Sequence, residues 1–322
     1  MGEKLSLFEL CITRPLGFLI QFIYNFVENY GLAIILFTIV IKLILMPLQI
    51  RSQKAMKRQQ KVQPIIMELQ KKYANDQQRL QQEMMKVYKE NNVSMTGGCL
   101  PLLLQFPILI GLYKVIQRPL TYIKGISIAD STFIENIKDV VSGMGNKIGN
   151  LANMTPEQLA QNSQIQLSTW AEQLGVSEKF GWDVNFNFLG LDLSETPAFG
   201  SVFKLMNGDF SNLSSTLLIL IPAFAMLMTW LSSKYSQKLS GTANAKNTND
   251  QAQSMTKSMN IMMPLMTGFF TFSLPSGIGI YWIISSVMQI VQQFIITKFF
   301  EGKEDDFVVK VPDKNRKRSK KH

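Results

Sequence analysis

Residues 31 to 50 read GLAIILFTIVIKLILMPLQI, a stretch in which Lys42 is the only ionisable side chain. At about 1.5 Å per residue, a helix of this length spans the roughly 30 Å hydrocarbon core of a bilayer. Stretches of similar length and composition occur at residues 98 to 116, 213 to 233 and 278 to 297. The sequence therefore predicts an all-α polytopic membrane protein.

A shorter apolar stretch at residues 259 to 274 is interpreted as a further span. The turn Pro275-Ser276-Gly277 follows it and leads into the last long stretch, which is typical of a transmembrane hairpin. Five spans are therefore expected, at residues 31 to 50, 98 to 116, 213 to 233, 259 to 274 and 278 to 297.

The distribution of Lys and Arg predicts the orientation, because short loops rich in these residues stay in the cytoplasm. Residues 51 to 90 carry 10 basic and 4 acidic side chains, residues 234 to 258 carry 4 and 1, and residues 298 to 322 carry 9 and 5. The long segment from 117 to 212 carries 6 basic and 10 acidic side chains. We therefore expect an extracytoplasmic loop at 117 to 212, a cytoplasmic loop at 234 to 258, and a basic cytoplasmic tail at 298 to 322.

Residues 1 to 30 are expected on the outer side, with an interfacial helix near the end of this segment. The apolar stretch from 16 to 27 is too short to span, and polar side chains recur on one side of it, which favours a helix lying along the membrane surface. A sixth, short span is the alternative. Cys11 and Cys99 are expected on opposite sides of the membrane, too far apart for a disulfide.

Residues 51 to 97 predict an antiparallel helical hairpin in the cytoplasm. Apolar residues recur at helical spacing in two stripes, from 62 to 73 and from 80 to 88. Asp76 is expected to cap the second helix, and Pro64 to bend the first helix without ending it. Basic residues at the start of the hairpin are suited to anionic lipid head groups.

Polar side chains retained in the spans are the candidate functional residues, because a charge at the bilayer centre costs about 3 kcal/mol on insertion scales. None of the five predicted spans contains an Asp or Glu that could pair with Lys42. We therefore expect a hydrated groove around this cation. The other candidate groove residues are Thr38, Gln105, Trp282, Ser285, Gln289 and Gln292. Such Gln and Ser side chains also bond neighbouring helices, and for Gln105 both interpretations stay open.

Enzymatic chemistry is disfavoured, and we expect no catalytic residue, cofactor or metal site. The only histidine is His322, and the spans contain no pair of carboxylates, which argues against zinc and aspartyl proteolysis. A dyad of Lys42 with Ser285 is conceivable but has little support. No phosphate-binding loop or dinucleotide fingerprint is present.

Four motifs together resemble the YidC/Oxa/Alb family of membrane protein insertases. They are TIVIKLILMPL at 38 to 48, QQEMMKVYK at 81 to 89, GGCLPLLLQFPI at 97 to 108 and LPSGIGIYW at 274 to 282. The resemblance covers roughly residues 15 to 125 and 185 to 300. It implies the compact five-span form, in a bacterial plasma membrane, with the N-terminus outside and the C-terminus in the cytoplasm.

The resemblance also implies a function and partners. The groove would assist insertion of nascent membrane proteins without nucleotide hydrolysis, with Thr38, Gln105 and Trp282 along the path. Lys42 stands where the family mainly has arginine, which changes the geometry of contact with carboxylates. Met84 and Met85 would contact substrates or targeting partners. Further expected partners are the Sec translocation channel, the ribosome, a targeting receptor and anionic lipids, but not DNA.

Two other classes of function stay open. In an assembly scaffold, the polar side chains would bind partner helices without passing polar segments across the membrane. In a small-solute channel, a pathway would open on both sides. Solvent access to positions 42 and 105 separates the insertase from the scaffold, and solute flux into liposomes identifies the channel.

Overall fold

The computed structural model describes residues 7–94, 100–197, 200, 207, 213–239 and 250–300. These ranges are mostly helical, with one short antiparallel sheet among them. The helices are α1 Arg14–Val27, α2 Tyr30–Ile44, α3 Met46–Lys72, α4 Gln77–Glu90, α5 Leu100–Gln117, α6 Pro119–Tyr122, α7 Ser131–Met144, α8 Pro156–Asn162, α9 Gln164–Gln173, α10 Ser177–Phe180, α11 Leu213–Leu217, α12 Leu220–Leu239, α13 Asp250–Ser273 and α14 Ser276–Phe300. A π-helical turn, Glu9–Thr13, precedes α1, and a 3₁₀ segment, Gly145–Asn153, follows α7. The predicted all-α class is confirmed.

Some predicted features lie outside the described residues. They are residues 1 to 6 of the outer segment, the end of the hairpin at 95 to 97, the start of the second span at 98 and 99 with Cys99, parts of the loops at 117 to 212 and 234 to 258, and the basic tail beyond residue 300. The described residues divide into two compact units. The first comprises those within Met1–Lys42, Gln105–Thr229 and Met263–Ser286, and the second those within Leu43–Leu104, Trp230–Met262 and Val287–His322.

The core of the first unit joins apolar helices to the long segment that follows α5. Tyr30 and Phe37 of α2 are fully buried in the same cluster as Ile116 of α5, Phe133 of α7 and Trp182. Burying large aromatic side chains contributes substantially to stability, since the free-energy gain scales with the apolar area removed from solvent. Much of the segment after α5 is thus folded onto the helices that precede it.

Main-chain carbonyl groups of residues 185 to 195 accept hydrogen bonds from the first residues of two helices. The Tyr30 amide at the start of α2 donates to the Asn185 carbonyl at 3.0 Å. At the start of α14, the Ser276 amide and hydroxyl donate to the Glu195 carbonyl at 2.9 and 2.7 Å. The first amides of a helix have no partner within the helix. This segment, which contains β1 Asn187–Phe188 and β2 Leu191–Asp192, therefore caps both helices.

The second unit contains the predicted helical hairpin. Val62 and Ile66 of α3 pack with Val87 and Tyr88 of α4 in one buried cluster. The Asp76 carboxylate accepts a hydrogen bond from the Arg79 amide at 3.0 Å and caps α4 as expected. The helix α3 continues through Pro64 to Lys72. The hairpin and the position of its turn are confirmed, whereas its cytoplasmic location stays a prediction.

The helix bounds differ from the predicted span bounds around Leu45. The predicted span runs to residue 50, but α2 ends at Ile44 and α3 begins at Met46 and includes the hairpin's first helix. Pro47 lies in the first turn of α3. Proline lacks the amide that a continuous helix would require at this position but is accepted in a first turn, so it favours a new helix here.

Two helical stretches of the described chain are long and apolar enough to cross a membrane, Glu9–Val27 and Ser276–Lys298. The pair α2 and α3, if counted as one interrupted span, makes a third, and Ile261–Ser273 is a shorter apolar stretch. The first of these is longer than the apolar stretch expected at 16 to 27, because the π-helical turn extends it. The count of five spans and the choice between an interfacial and a spanning first helix stay predictions.

Candidate intramembrane site

The helix α2 carries Thr38 and Lys42 one turn apart. Thr38 is 1% exposed, and its hydroxyl donates to the Ile34 carbonyl of the preceding turn at 2.6 Å. This is the usual way for threonine to satisfy its hydroxyl within a helix. Lys42 is half-buried. Of the two residues, Lys42 therefore offers more surface to a neighbouring molecule.

Gln105 and Ser285 are brought together by a residue that the sequence analysis did not single out, Tyr281. The Gln105 amide donates to the Tyr281 hydroxyl at 2.9 Å, and the same hydroxyl hydrogen-bonds the Ser285 side chain. Tyr281 is 4% exposed. A buried tyrosine hydroxyl requires a polar partner, so a tyrosine within an apolar span was the available signal. These three residues form a polar bridge between α5 and α14.

Trp282 lies beside this bridge and borders an apolar cavity. Its ring stacks on Phe270 of α13, with centroids 6.3 Å apart and planes inclined by 10°. The cavity has a volume of about 280 Å³. It is lined by Leu109, Ile110, Leu112, Tyr113, Ile116, Phe270, Leu274, Ile278, Tyr281 and Trp282. The structure thus places Trp282 at an apolar surface and Ser285 in the polar bridge.

The remaining polar residues of α14 have different environments. Gln289 is exposed, whereas Gln292 is 4% exposed, and both belong to the second unit. A second pair missed in the sequence, Thr229 of α12 and Ser286 of α14, is joined by a hydroxyl hydrogen bond of 3.3 Å in the first unit. The four candidate residues of α14, which are Trp282, Ser285, Gln289 and Gln292, therefore differ in burial.

The two methionines proposed as hairpin contacts also differ. Met84 is partly buried against the cluster that joins α3 and α4, whereas Met85 is 61% exposed. Only Met85 therefore offers most of its side chain to a partner. Among the described residues, no group of three or more His, Cys, Asp or Glu side chains is arranged to hold a metal ion.

The helices and the polar bridge within apolar surroundings define an all-α integral membrane protein. Residues 22–304 match the model of the family described as 60Kd inner membrane protein. The chain therefore belongs to this family, that of the YidC/Oxa/Alb proteins, as the motifs predicted.

The chain is similar to bacterial proteins named membrane protein insertase YidC. The protein of Caldanaerobacter subterraneus subsp. tengcongensis is 29% identical over 294 residues, which cover 90% of this chain and 98% of the relative. The protein of Fusobacterium nucleatum subsp. nucleatum is 29% identical over 287 residues, or 89% and 95% of the two chains. The protein of Syntrophus aciditrophicus is 49% identical over 105 residues, which are 33% of this chain and 19% of the relative.

Proposed function

We propose that this protein is a membrane protein insertase that assists nascent membrane proteins in entering and folding in the bilayer. The observation that carries the proposal is the similarity to relatives named insertases along nine tenths of this chain and nearly the whole of the relatives. We propose that it acts in a bacterial plasma membrane with five spans, an outer N-terminus and a cytoplasmic C-terminus, as the loop charges predict.

The physical task of an insertase is to reduce the cost of moving polar flanks across hydrocarbon. An apolar helix partitions into lipid favourably, but a charged residue at the bilayer centre costs about 3 kcal/mol or more. In our proposal, the ammonium group of Lys42 attracts an acidic flank into a hydrated groove. The polar bridge of Gln105, Tyr281 and Ser285 would offer hydroxyl and amide groups to the same flank. The free energy of partitioning drives the step, and no nucleotide is hydrolysed.

The apolar part of the substrate needs a separate surface. The cavity bordered by Trp282 and Phe270 is apolar and adjoins the polar bridge through Tyr281. A substrate side chain entering it would remove apolar area from water, which is favourable by roughly 25 cal/mol per Å². The first unit therefore supplies one surface for polar groups and another for apolar groups.

The hairpin is proposed to receive substrates or targeting partners in the cytoplasm. Met85 is its exposed adaptable side chain, and methionine fits partners of varied shape. The Sec translocation channel, the ribosome, a targeting receptor and anionic lipids are the further proposed partners.

The second candidate function is a membrane assembly scaffold. It is favoured by the hydrogen bonds between helices, since Gln105 to Tyr281 and Thr229 to Ser286 are both contacts that hold helices together. A cysteine at position 42 separates the two functions. Reaction with a membrane-impermeant thiol reagent supports a hydrated groove, and resistance to the reagent in the folded protein supports the scaffold.

The proposed function is tested by crosslinking during insertion. A photoreactive residue at position 282 is expected to crosslink to a nascent membrane protein whose synthesis is stalled midway. A photoreactive residue at Leu189, which is 87% exposed on the turn between β1 and β2, is the control and is expected to give no such product. Insertion without any crosslink from position 282 would contradict the proposed path.

A further inference from the structure

A cluster of charged side chains lies where the start of the chain packs against α5 and α6. It consists of the charged residues Arg14, Lys114, Arg118 and Glu9 together with the neutral phenol of Tyr122, and we call it the junction cluster. The Lys114 ammonium lies 3.4 Å from the Glu9 carboxylate, and the Arg118 side chain hydrogen-bonds the Tyr122 hydroxyl. The charges of Arg14 and Glu9 also act on that hydroxyl. The five side chains thus form one electrostatic group.

The backbone aligns the members of the cluster from two sides. The Arg14 amide donates to the Glu9 carbonyl across the π-helical turn, so these residues lie one turn apart on one face. In a regular α-helix, residues five apart would point about 140° apart. On the other side, Arg118 joins α5 to α6. Its amide donates to the Lys114 carbonyl at 3.1 Å, and the Tyr122 amide donates to the Arg118 carbonyl at 3.0 Å, so the three residues follow one another on successive turns of the chain.

Two glycines allow the close approach of these elements. A Cβ atom on Gly111 of α5 would lie 2.8 Å from the Ile12 side chain, and one on Gly17 of α1 would lie 3.1 Å from Cε1 of Tyr122. Both contacts are closer than ordinary packing allows. The cluster is therefore held by tightly packed backbone on both sides.

The chemistry of the cluster suits a phosphate group. The cluster contains three basic side chains and one carboxylate, so its net charge is positive. Burial raises the pKa of Tyr122, so its hydroxyl stays protonated at neutral pH and can donate to an anion. Arginine binds phosphate through paired hydrogen bonds, and lysine adds a compact charge.

Apolar side chains beside the cluster indicate that the phosphate belongs to a lipid. Leu7 is 82% exposed, Phe18 is 72% exposed, and Leu10 is also exposed. These residues flank Glu9 and Arg14 in sequence, and the apolar helix α5 ends at Gln117, next to Arg118. A phospholipid is the molecule that presents an anionic phosphate directly beside apolar chains. We propose that the junction cluster binds the phosphate of an anionic phospholipid whose acyl chains lie against these apolar side chains.

Native mass spectrometry of the full chain in detergent tests this proposal, with phosphatidylglycerol as the probe. The triple variant Arg14→Gln, Lys114→Gln, Arg118→Gln is expected to bind phosphatidylglycerol at least about tenfold more weakly, because each basic residue near the head groups contributes to affinity. The control variant Lys138→Gln, Lys147→Gln, Lys179→Gln removes the same charge from exposed positions of the segment after α5 and is expected to bind like the unmodified chain. An equal loss of phosphatidylglycerol binding in the triple variant and in the control variant would overturn the proposal.

A further variant is expected to strengthen lipid binding, which loss of folding could not do. Glu9→Gln removes the carboxylate that competes with phosphate, so binding of phosphatidylglycerol is expected to strengthen several-fold. Weaker binding of this variant in its folded form, or equal binding of phosphatidylcholine and phosphatidylglycerol, would overturn the proposal.

Soluble glycerol phosphate distinguishes a lipid site from a site for free phosphate. It is expected not to displace the lipid, whereas displacement at equal concentration would show a free-phosphate site and overturn the lipid assignment. The measurement involves no insertion, so its outcome is independent of the proposed insertase function.

Discussion

The Gln105 side-chain amide donates a hydrogen bond of 2.9 Å to the hydroxyl of Tyr281, 176 positions further along the chain. The bond joins α5 to α14, and Ser285 shares the same hydroxyl. It connects two residues that the sequence marked as groove candidates through one that it did not mark. The polar bridge therefore both holds two helices together and concentrates polar atoms in an apolar region.

The strength of this bond is measurable by a double-mutant cycle with Gln105→Leu and Tyr281→Phe. We expect a coupling free energy of about 0.6 kcal/mol and no more than about 1.7 kcal/mol, the average and the maximum for hydrogen bonds between membrane helices. The measurement is the free energy of unfolding in bicelles for the two single variants, the double variant and the unmodified chain. A coupling near zero would mean that the contact does not contribute to stability.

Substitutions of Lys42 test the attraction of acidic flanks. Lys42→Glu is expected to slow insertion of a substrate with an acidic tail about tenfold or more, because the groove then repels that tail, while Lys42→Arg stays within about threefold. The measurement is protease protection of the translocated tail in proteoliposomes. The matched control is the same substrate with a neutral tail, on which the three versions should differ little. Equal activity of all three versions on the acidic tail would exclude charge attraction.

The hairpin cluster is tested by truncating its buried side chains. Val62→Ala and Val87→Ala are each expected to reduce the stability of the hairpin by about 2 kcal/mol, because each removes two buried methyl groups and leaves a cavity. Met85→Ala, at an exposed position of the same hairpin, is expected to change it by less than about 0.5 kcal/mol. Hydrogen exchange of the α4 amides in the full chain measures the stability of the hairpin in all three variants. Similar effects at positions 85 and 87 would argue against the packing described for the hairpin.

The cap on α14 is tested at Ser276. Ser276→Ala removes the hydroxyl that donates to the Glu195 carbonyl, and we expect the free energy of unfolding to fall by about 1 kcal/mol. Ser273→Ala is the matched control, because the Ser273 hydroxyl is exposed and donates within α13 to the Phe269 carbonyl. We expect the control to lie within about 0.5 kcal/mol of the unmodified chain. If Ser273→Ala lowered the free energy of unfolding as much as Ser276→Ala, the loss at Ser276 could not be assigned to the cap.

Local signals in the sequence predicted some elements closely. The spacing of apolar residues and the cap at Asp76 gave the hairpin, because both act between neighbours on one helix. Thr155 and Gln158 form a reciprocal capping pair at the start of α8, which is also a local pattern of residues three positions apart. Such features can be predicted from the sequence because they depend mainly on residues close together in the chain.

Burial and contacts between helices far apart in the sequence were harder to predict from the sequence. No pattern within α14 distinguishes Gln289 from Gln292, since burial depends on other helices. Tyr281 was overlooked because its partner Gln105 is far away in sequence. The break at Leu45 was concealed by continuous hydrophobicity, although Pro47 was a visible signal.

The carbonyl groups of Asn185 and Glu195 that cap α2 and α14 belong to the main chain. Every amino acid supplies such an oxygen, so neither cap requires a particular side chain from the acceptor. Homologous sequences can consequently diverge at these two positions while the caps persist. A comparison based on residue identity would overlook this constraint, whereas a comparison of backbone positions would reveal it.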